Sequence, residues 1–507
     1  MQTIRLHSLA AAFALLVAIA PARATDDAGS AQTSRGFERA LRPSVLRADQ
    51  PAPAWSLSER MRHYGVPGVA VAVLRDGEVV HAAGYGLREA GTVEKVDADT
   101  LFSVGSVSKV VAAGATLRLV SQGRLDLDRD VGAYLRSWKI PRFGGDPAPK
   151  VTLRMLLSHT AGFNVHGFED FQPGATVPDA LQTLDGKAPA KHEPVRLVHP
   201  PGERLDYSGG GVTVEQLVLT DATGRPFESL AREAVFDPLH MSRSTFESPL
   251  PATRGNIAKA HGPDGRPRAQ PRGWETFPEL AASGLWTCAN DLALYVRALI
   301  RSYRGSGDFL PRALAREMMT EVSPSEHGLG PRLAGTAQRR VFHHGGANDS
   351  YRAFIEGNLY SGDGVVILTN GARGDDLAGE IRNAVADAWG WPTQRPLRTI
   401  PIVPDDPQAA RDAGTYVFDD GIPQAWQKRL NEAPRELRVE AAQGRLTGYW
   451  SGNSKPVELL PLAPNRYTSP DWESLQIEFH RDAHGTTSAL SLDNGVSRAY
   501  YRRKAAP

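Results

Sequence analysis

Apolar residues crowd the run GVAVAVLRDGEVVHAAGYG, residues 68–86, on both sides of Asp76 and Gly77. That dipeptide supplies the positive φ of a tight two-residue turn, so the run predicts a β-hairpin that opens a sheet. The period changes in SVSKVVAAGATLRLVSQG, residues 106–123, where apolar positions recur at helical spacing and the pattern closes on Gly123, suited to the position after a helix end. Further helical patterns fall at 152–159, 213–224, 289–303 and 377–389, and strands return only in RAFIEGN and GVVILTNG, within 352–371. Strands from both ends of this region predict one antiparallel sheet flanked by helices, with a helical insert between them.

Residues 390–407, GWPTQRPLRTIPIVPDDP, are dense in proline and read as a stiff linker. Beyond them the pattern is of short alternating strands broken by Gly, Asn and Asp, which predicts a small antiparallel barrel or sandwich. At 507 residues the chain is too long for one ordinary core, consistent with two domains. No short-period repeat is visible.

Lys plus Arg (58) nearly balances Asp plus Glu (57), and no block of like charge stands out. Neither nucleic acid nor an anionic membrane is indicated as a partner; a small molecule or short peptide is. The first 24 residues have a basic start with Arg5, an apolar stretch from Leu9 to Ala20 and the small-residue site Ala22-Arg23-Ala24. This is the pattern of a secretory signal peptide, with an apolar stretch shorter than the ~20 residues of a membrane span, and it implies export to the periplasm or beyond. Residues 25–53 are polar and read as a flexible leader, with order expected to begin near Trp55. The single cysteine, Cys288, excludes an internal disulfide, and no motif ties it to a histidine, so it reads as a small buried hydrophobe.

In LFSVGSVSKVV, residues 101–111, Ser106 and Lys109 stand three apart in an otherwise apolar helical run. That spacing puts both side chains on one helix face, where a lysine amine can act as base for a serine hydroxyl. At a helix N-terminus the serine also has free backbone N–H groups beside it, suited to a developing oxyanion. A lysine inside an apolar helix is costly unless paired or neutral, so its placement favours a chemical role. Taken alone, one Ser-x-x-Lys in a chain of this length also arises by chance.

Ser-x-x-Lys is the nucleophile motif of penicillin-binding proteins and serine β-lactamases. HPPGERLDYSGGGVTVEQLVLTDATG, residues 199–224, resembles the second motif region of the class C β-lactamase-like family, with Tyr207 in the tyrosine place and Gly209 where that family has Asn. FHHGGANDSYRAFIEGN, residues 342–358, resembles the third motif strand, His344-Gly345-Gly346 replacing Lys-Thr-Gly. The motifs run in the family's order from about Trp55 to Trp391, and the tail resembles the lipocalin-like barrel attached to some of its hydrolases.

The resemblance implies a β-lactamase/DD-peptidase-like α/β domain over 54–391, the linker at 392–407 and a barrel over 408–507. It implies Ser106 as acylated nucleophile, Lys109 as base, Tyr207 as second proton relay, and His344, Gly346 and Ala347 as substrate and oxyanion contacts, the amides of Ser106 and Ala347 receiving the oxyanion. No cofactor or metal is implied: His343 and His344 are neighbours on a strand and point to opposite faces. His159 and His166 read as structural. A neutral His344 offers no lasting charge, which weakens carboxylate recognition unless Arg352 supplies it. The expected activity is hydrolysis of small amides or esters, D-amino-acid peptides among them; a β-lactamase, or a sensor that acylates without turnover, remain the alternatives.

Overall fold

Asp76 and Gly77 take φ of 50° and 76° and turn the expected hairpin between β1 (Gly68–Arg75) and β2 (Glu78–Gly86). The computed structural model describes residues 36–505 except 49, 145–149, 172–173, 270–272, 275, 394–397, 401–408, 420–434, 451–455, 470–474 and 494–497. The signal segment 1–24 and the first part of the leader lie outside the described residues.

Four later strands complete the sheet: β3 (Arg332–Ala334), β4 (Val341–Ala347), β5 (Arg352–Asn358) and β6 (Gly364–Thr369). Their order is β2-β1-β6-β5-β4-β3, antiparallel throughout, with Val69 opposite Thr369 and Leu74 opposite Gly364. The two ends of the domain thus meet at its centre, as the strand pattern predicted.

Alternation along β1 explains the layers. Ala70, Ala72 and Leu74 face the large core built with the helical insert, whereas Val69, Val71 and Val73 face α1 (Leu57–Tyr64) and α5 (Gly374–Trp389). Because both faces are covered, β1 is apolar on both and reads as an unbroken run. A capping box holds the start of α1, the Ser56 side chain accepting from the Glu59 N–H while Glu59 reaches back to Ser56.

Within the insert, α2 (Val107–Ser121) is buried on nearly all sides, including Val107, Val110, Val111, Ala112 and Leu117. A helix apolar all round belongs at the centre of a domain, and α2 lies there, enclosed by α3 (Gly209–Thr223), α4 (Ala289–Arg304) and the sheet. Close approach is built in: a methyl at Gly114 would stand 2.4 Å from the Tyr295 hydroxyl of α4.

Order begins upstream of Trp55, which corrects the expectation of a leader mobile to that point. Phe37 and Leu41 are fully buried in the cluster that contains α1 and α5, and Arg42 pairs with Asp387 at 2.5 Å. Val45–Arg47 forms a parallel pair with Arg398–Ile400, so leader and linker are stitched together.

The tail is a closed barrel of eight antiparallel strands: β7 (Gly414–Phe418), β8 (Glu436–Ala442), β9 (Arg445–Trp450), β10 (Val457–Ala463), β11 (Arg466–Thr468), β12 (Gln476–Arg481), β13 (Thr487–Asp493) and β14 (Arg498–Arg503). Pairing of β7 with β14 closes it and leaves no free edge. Tyr416, Leu437, Ile477, Phe479, Leu490 and Tyr501 fill its interior. Among the described residues no helix is long and apolar enough to cross a membrane.

Candidate active site

Two glycines bring the N-terminus of α2 against the end of β4. A methyl at Gly346 would lie 1.9 Å from the Val104 carbonyl oxygen, and one at Gly105 only 2.8 Å from the Ala347 nitrogen. Backbone meets backbone here, and Gly105 also takes φ of 47°. Ser106 follows directly, at the position that caps α2, yet its hydroxyl makes no capping bond.

The hydroxyl is engaged by lysine instead. Lys109 Nζ donates to Ser106 Oγ at 3.1 Å and to the Ala282 carbonyl at 2.8 Å. Lys109 is 4 % exposed, and its Nζ stands 5.1 Å from the centre of the Tyr207 ring. Ala282 belongs to the helical turn Leu280–Ser283, which Gln216 of α3 anchors by accepting from the Ala281 N–H at 3.0 Å. The Ser-x-x-Lys spacing, the second motif and the third motif therefore converge on one point.

Tyr207 precedes α3, whose cap is Ser208, its side chain accepting from Gly211 N at 2.9 Å. His159 clamps it on both flanks: the Asp206 N–H donates to the His159 carbonyl at 2.8 Å and the Ser208 N–H to its Nδ1 at 3.3 Å. The His159 ring lies 4.3 Å from the Tyr207 ring and that of His166 4.9 Å away. Gly209 explains a departure from the family pattern. A Cβ there would meet Phe168 at 2.9 Å and the His166 carbonyl at 3.1 Å, so the loop bearing His166 occupies the direction in which an asparagine would project.

His344 on β4 is 2 % exposed, with its ring centre 6.2 Å from that of Tyr207. Its Nδ1 donates to the Gly345 carbonyl at 2.6 Å, and its buried Nε2 has no partner. Burial first, then the charge of Arg332, holds His344 well below the usual histidine range; burial and the neighbouring His327, Lys109, His344 and Arg332 do the same for His159. Both imidazoles are neutral at pH 7.

The structure thus brings together Ser106, Lys109, Tyr207, His344, Gly346 and Ala347. Arg352, opposite Ala347 in the sheet, has its guanidinium bonded instead to Asp375 at 2.8 Å and to the Tyr351 carbonyl. A fixed cation does stand at the site, from a residue that sequence reading did not single out. Arg332, on the edge strand β3, has its guanidinium carbon 5.6 Å from the Tyr207 ring centre, with Nη1 3.1 Å from Glu326 Oε1. Its place follows from pairing opposite His343, which only the sheet register reveals. His343 itself faces Phe354, on the other side of the sheet from His344. Cys288 is buried as the cap of α4, its thiol pushed up by burial and by Asp291.

Comparison with known proteins agrees with this fold. The family description Beta-lactamase matches residues 56–388. Esterase EstB of Burkholderia gladioli is 27% identical over 395 residues, covering 69% of this chain and 98% of that protein. The putative penicillin-binding protein PbpX of Bacillus subtilis (strain 168) is 24% identical over 334 residues, 65% of this chain and 76% of its own. Among solved structures, SurE with D-Leu is similar with a TM-score of 0.55 at 23% identity, over 88% of this chain and 97% of that one, which extends the likeness in fold into the barrel.

Proposed function

The chain belongs to the beta-lactamase family, and from that premise we propose that it is an exported serine hydrolase that cleaves small amides or esters, D-amino-acid peptides among them, through an acyl-enzyme on Ser106. The observation that carries this reading is the 3.1 Å contact between Lys109 Nζ and Ser106 Oγ, with the lysine buried. Lys109 takes the serine proton as Oγ attacks the substrate carbonyl carbon. Charge then develops on the carbonyl oxygen, and the backbone N–H groups of Ser106 and Ala347 receive it. Tyr207, 5.1 Å by ring centre from the same Nζ, relays the proton to the leaving group and later accepts one from the water that releases the acyl group.

His344 contributes a neutral acceptor, while Arg332 supplies the positive charge that the family's third-motif lysine would bring. That cation favours a second reading within the same chemistry, in which substrates carry a free carboxylate, as penicillins and peptide C-termini do. Turnover of p-nitrophenyl esters, D-alanyl anilides and nitrocefin by one preparation separates these readings. Ester or anilide turnover that exceeds nitrocefin turnover supports the hydrolase; the reverse order makes it a β-lactamase. Covalent labelling without any turnover makes it an acylated sensor. Lys109→Arg abolishes turnover in every case, because a guanidinium cannot accept the serine proton; an active arginine variant contradicts the assignment of the base.

A further inference from the structure

Around the Tyr207 ring, among the described residues, stand the rings of His159, His166, His327 and His344 and the cations of Lys109 and Arg332. His159, His327, His344 and Lys109 are buried. His166 and Arg332 are only half-buried, so these two present polar groups to a molecule that approaches Ser106 from solvent. The reaction above uses Arg332 and leaves His166 without a part in it.

The backbone that carries His166 is fixed from two sides. The carbonyls of Asn164, Val165 and His166 all turn toward the start of α3, where they accept from Ser208 Oγ at 2.6 Å, Gly210 N at 3.0 Å and Gly209 N at 3.0 Å. On the other side Asn164 Nδ2 donates to the Pro194 carbonyl at 3.0 Å, and its Oδ1 accepts from Arg196 N at 2.7 Å. Between these anchors Val165 takes φ of 60°, a left-handed conformation that a β-branched residue avoids. Glycines make the approach possible: a Cβ at Gly210 would lie 3.0 Å from the Asn164 carbonyl oxygen, as one at Gly209 would meet His166 and Phe168. Strained backbone and glycine in a helix each cost about 1 kcal/mol or more. Their joint effect is to hold the His166 ring 4.9 Å from that of Tyr207, on a loop too well anchored to move away.

We infer that His166 is a specificity-determining residue: its imidazole N–H donates a hydrogen bond to a carbonyl in the acyl half of the substrate, as in an N-acylated amino acid ester or amide. This deepens the reading of Ser106 as nucleophile and rests on it. The two halves of a substrate leave the scissile carbon in opposite directions. Arg332, on the sheet edge, marks the half that carries a carboxylate, which in a peptide cut next to its C-terminal residue is the leaving group. His166, on the helical insert, falls to the acyl half. An imidazole carries an N–H in either protonation state, so this donor does not depend on titration. An acyl chain of hydrocarbon alone offers it no acceptor, and N-acylated substrates are therefore favoured.

Two esters isolate that one contact. p-Nitrophenyl N-acetylglycinate and p-nitrophenyl pentanoate have acyl chains of equal length that differ by an amide, and the ratio of their kcat/KM values cancels whatever affects both alike. His166→Phe keeps a ring against Tyr207 and removes the N–H. In the full chain the ratio of acetylglycinate to pentanoate falls about three- to tenfold from parent to variant, the worth of one hydrogen bond. His166→Ala gives the same fall and serves where the phenylalanine variant does not fold. A ratio that changes by less than about twofold in a folded variant overturns the role of His166, even if both rates drop, and leaves Ser106 untouched. Turnover of either ester that survives in Ser106→Ala overturns the reading of the nucleophile, and this inference with it.

Discussion

His159 holds a left-handed backbone position, φ 59°, that a residue with a side chain seldom takes, and from it reaches both neighbours of Tyr207. Nothing in the local sequence shows this, because the clamp exists only once residues 159 and 206–208 have met. By contrast, the contact of Ser106 with Lys109 was legible from spacing, since both lie on one helix and i to i+3 geometry is local, while its chemical meaning needed the other motifs beside it. Tyr207 and His344 were legible only through motif order, and Arg332 not at all, because a short edge strand carries no pattern of its own.

The buried imidazoles give stability a pH dependence. His344 is held below its ordinary value of 6.5, so as pH falls through 6.5 the unfolded chain binds a proton that the native site refuses. The stability present above pH 6.5 is therefore lost progressively toward acid. Urea unfolding midpoints measured between pH 7 and pH 5 will fall in the parent, and less steeply in His344→Gln, by up to about one proton's worth of slope. Equal slopes contradict a neutral, buried His344.

At the scale of elements, the hairpin at Asp76-Gly77, the central helix α2 and the meeting of β1 with β6 followed from period and turn chemistry. The start of α3 did not. Its first turn is Gly209-Gly210-Gly211, a poor helix former, and the predicted helix began only at Thr213. The Ser208 cap compensates, together with the His166 carbonyl, which accepts from Gly209 N–H, and the Val165 carbonyl, which accepts from Gly210 N–H.

The contact of α2 with β4 depends on Gly346 in the same tertiary way. Gly346→Ala places a methyl against the immobile Val104 carbonyl, so strand and helix must separate. We expect a destabilisation of about 1–3 kcal/mol, as for overpacking. Displacement of the Ala347 amide will add a loss of turnover of about a hundredfold beyond what stability explains. Calorimetry with steady-state kinetics checks both, and an alanine variant with parental activity contradicts the placement of the oxyanion site.

Over the whole molecule, length, linker proline and the alternating strand pattern of the tail suggested two domains, the second a barrel or sandwich, but the stitching between them was invisible. Residues 45–47 read as polar leader and 398–400 as linker, yet they pair, and Val45 packs with Leu460 of β10. Parallel pairing of segments some 350 residues apart has no local signal. A chain ending after Ile400 keeps that pair and is expected to fold and hydrolyse small esters within about tenfold of the full chain. One ending at Trp391 loses the pair and unfolds at a lower urea concentration; equal midpoints for the two truncations contradict a structural role for the strand. The central claim is that Ser106 is the acylated nucleophile. Incubation with a fluorophosphonate, followed by peptide mass mapping of the parent and of Ser106→Ala, tests it most directly. The account predicts one adduct, on Ser106, which the alanine variant lacks together with all turnover while its circular dichroism is unchanged; an adduct on another residue, or ester turnover that survives in Ser106→Ala, contradicts it.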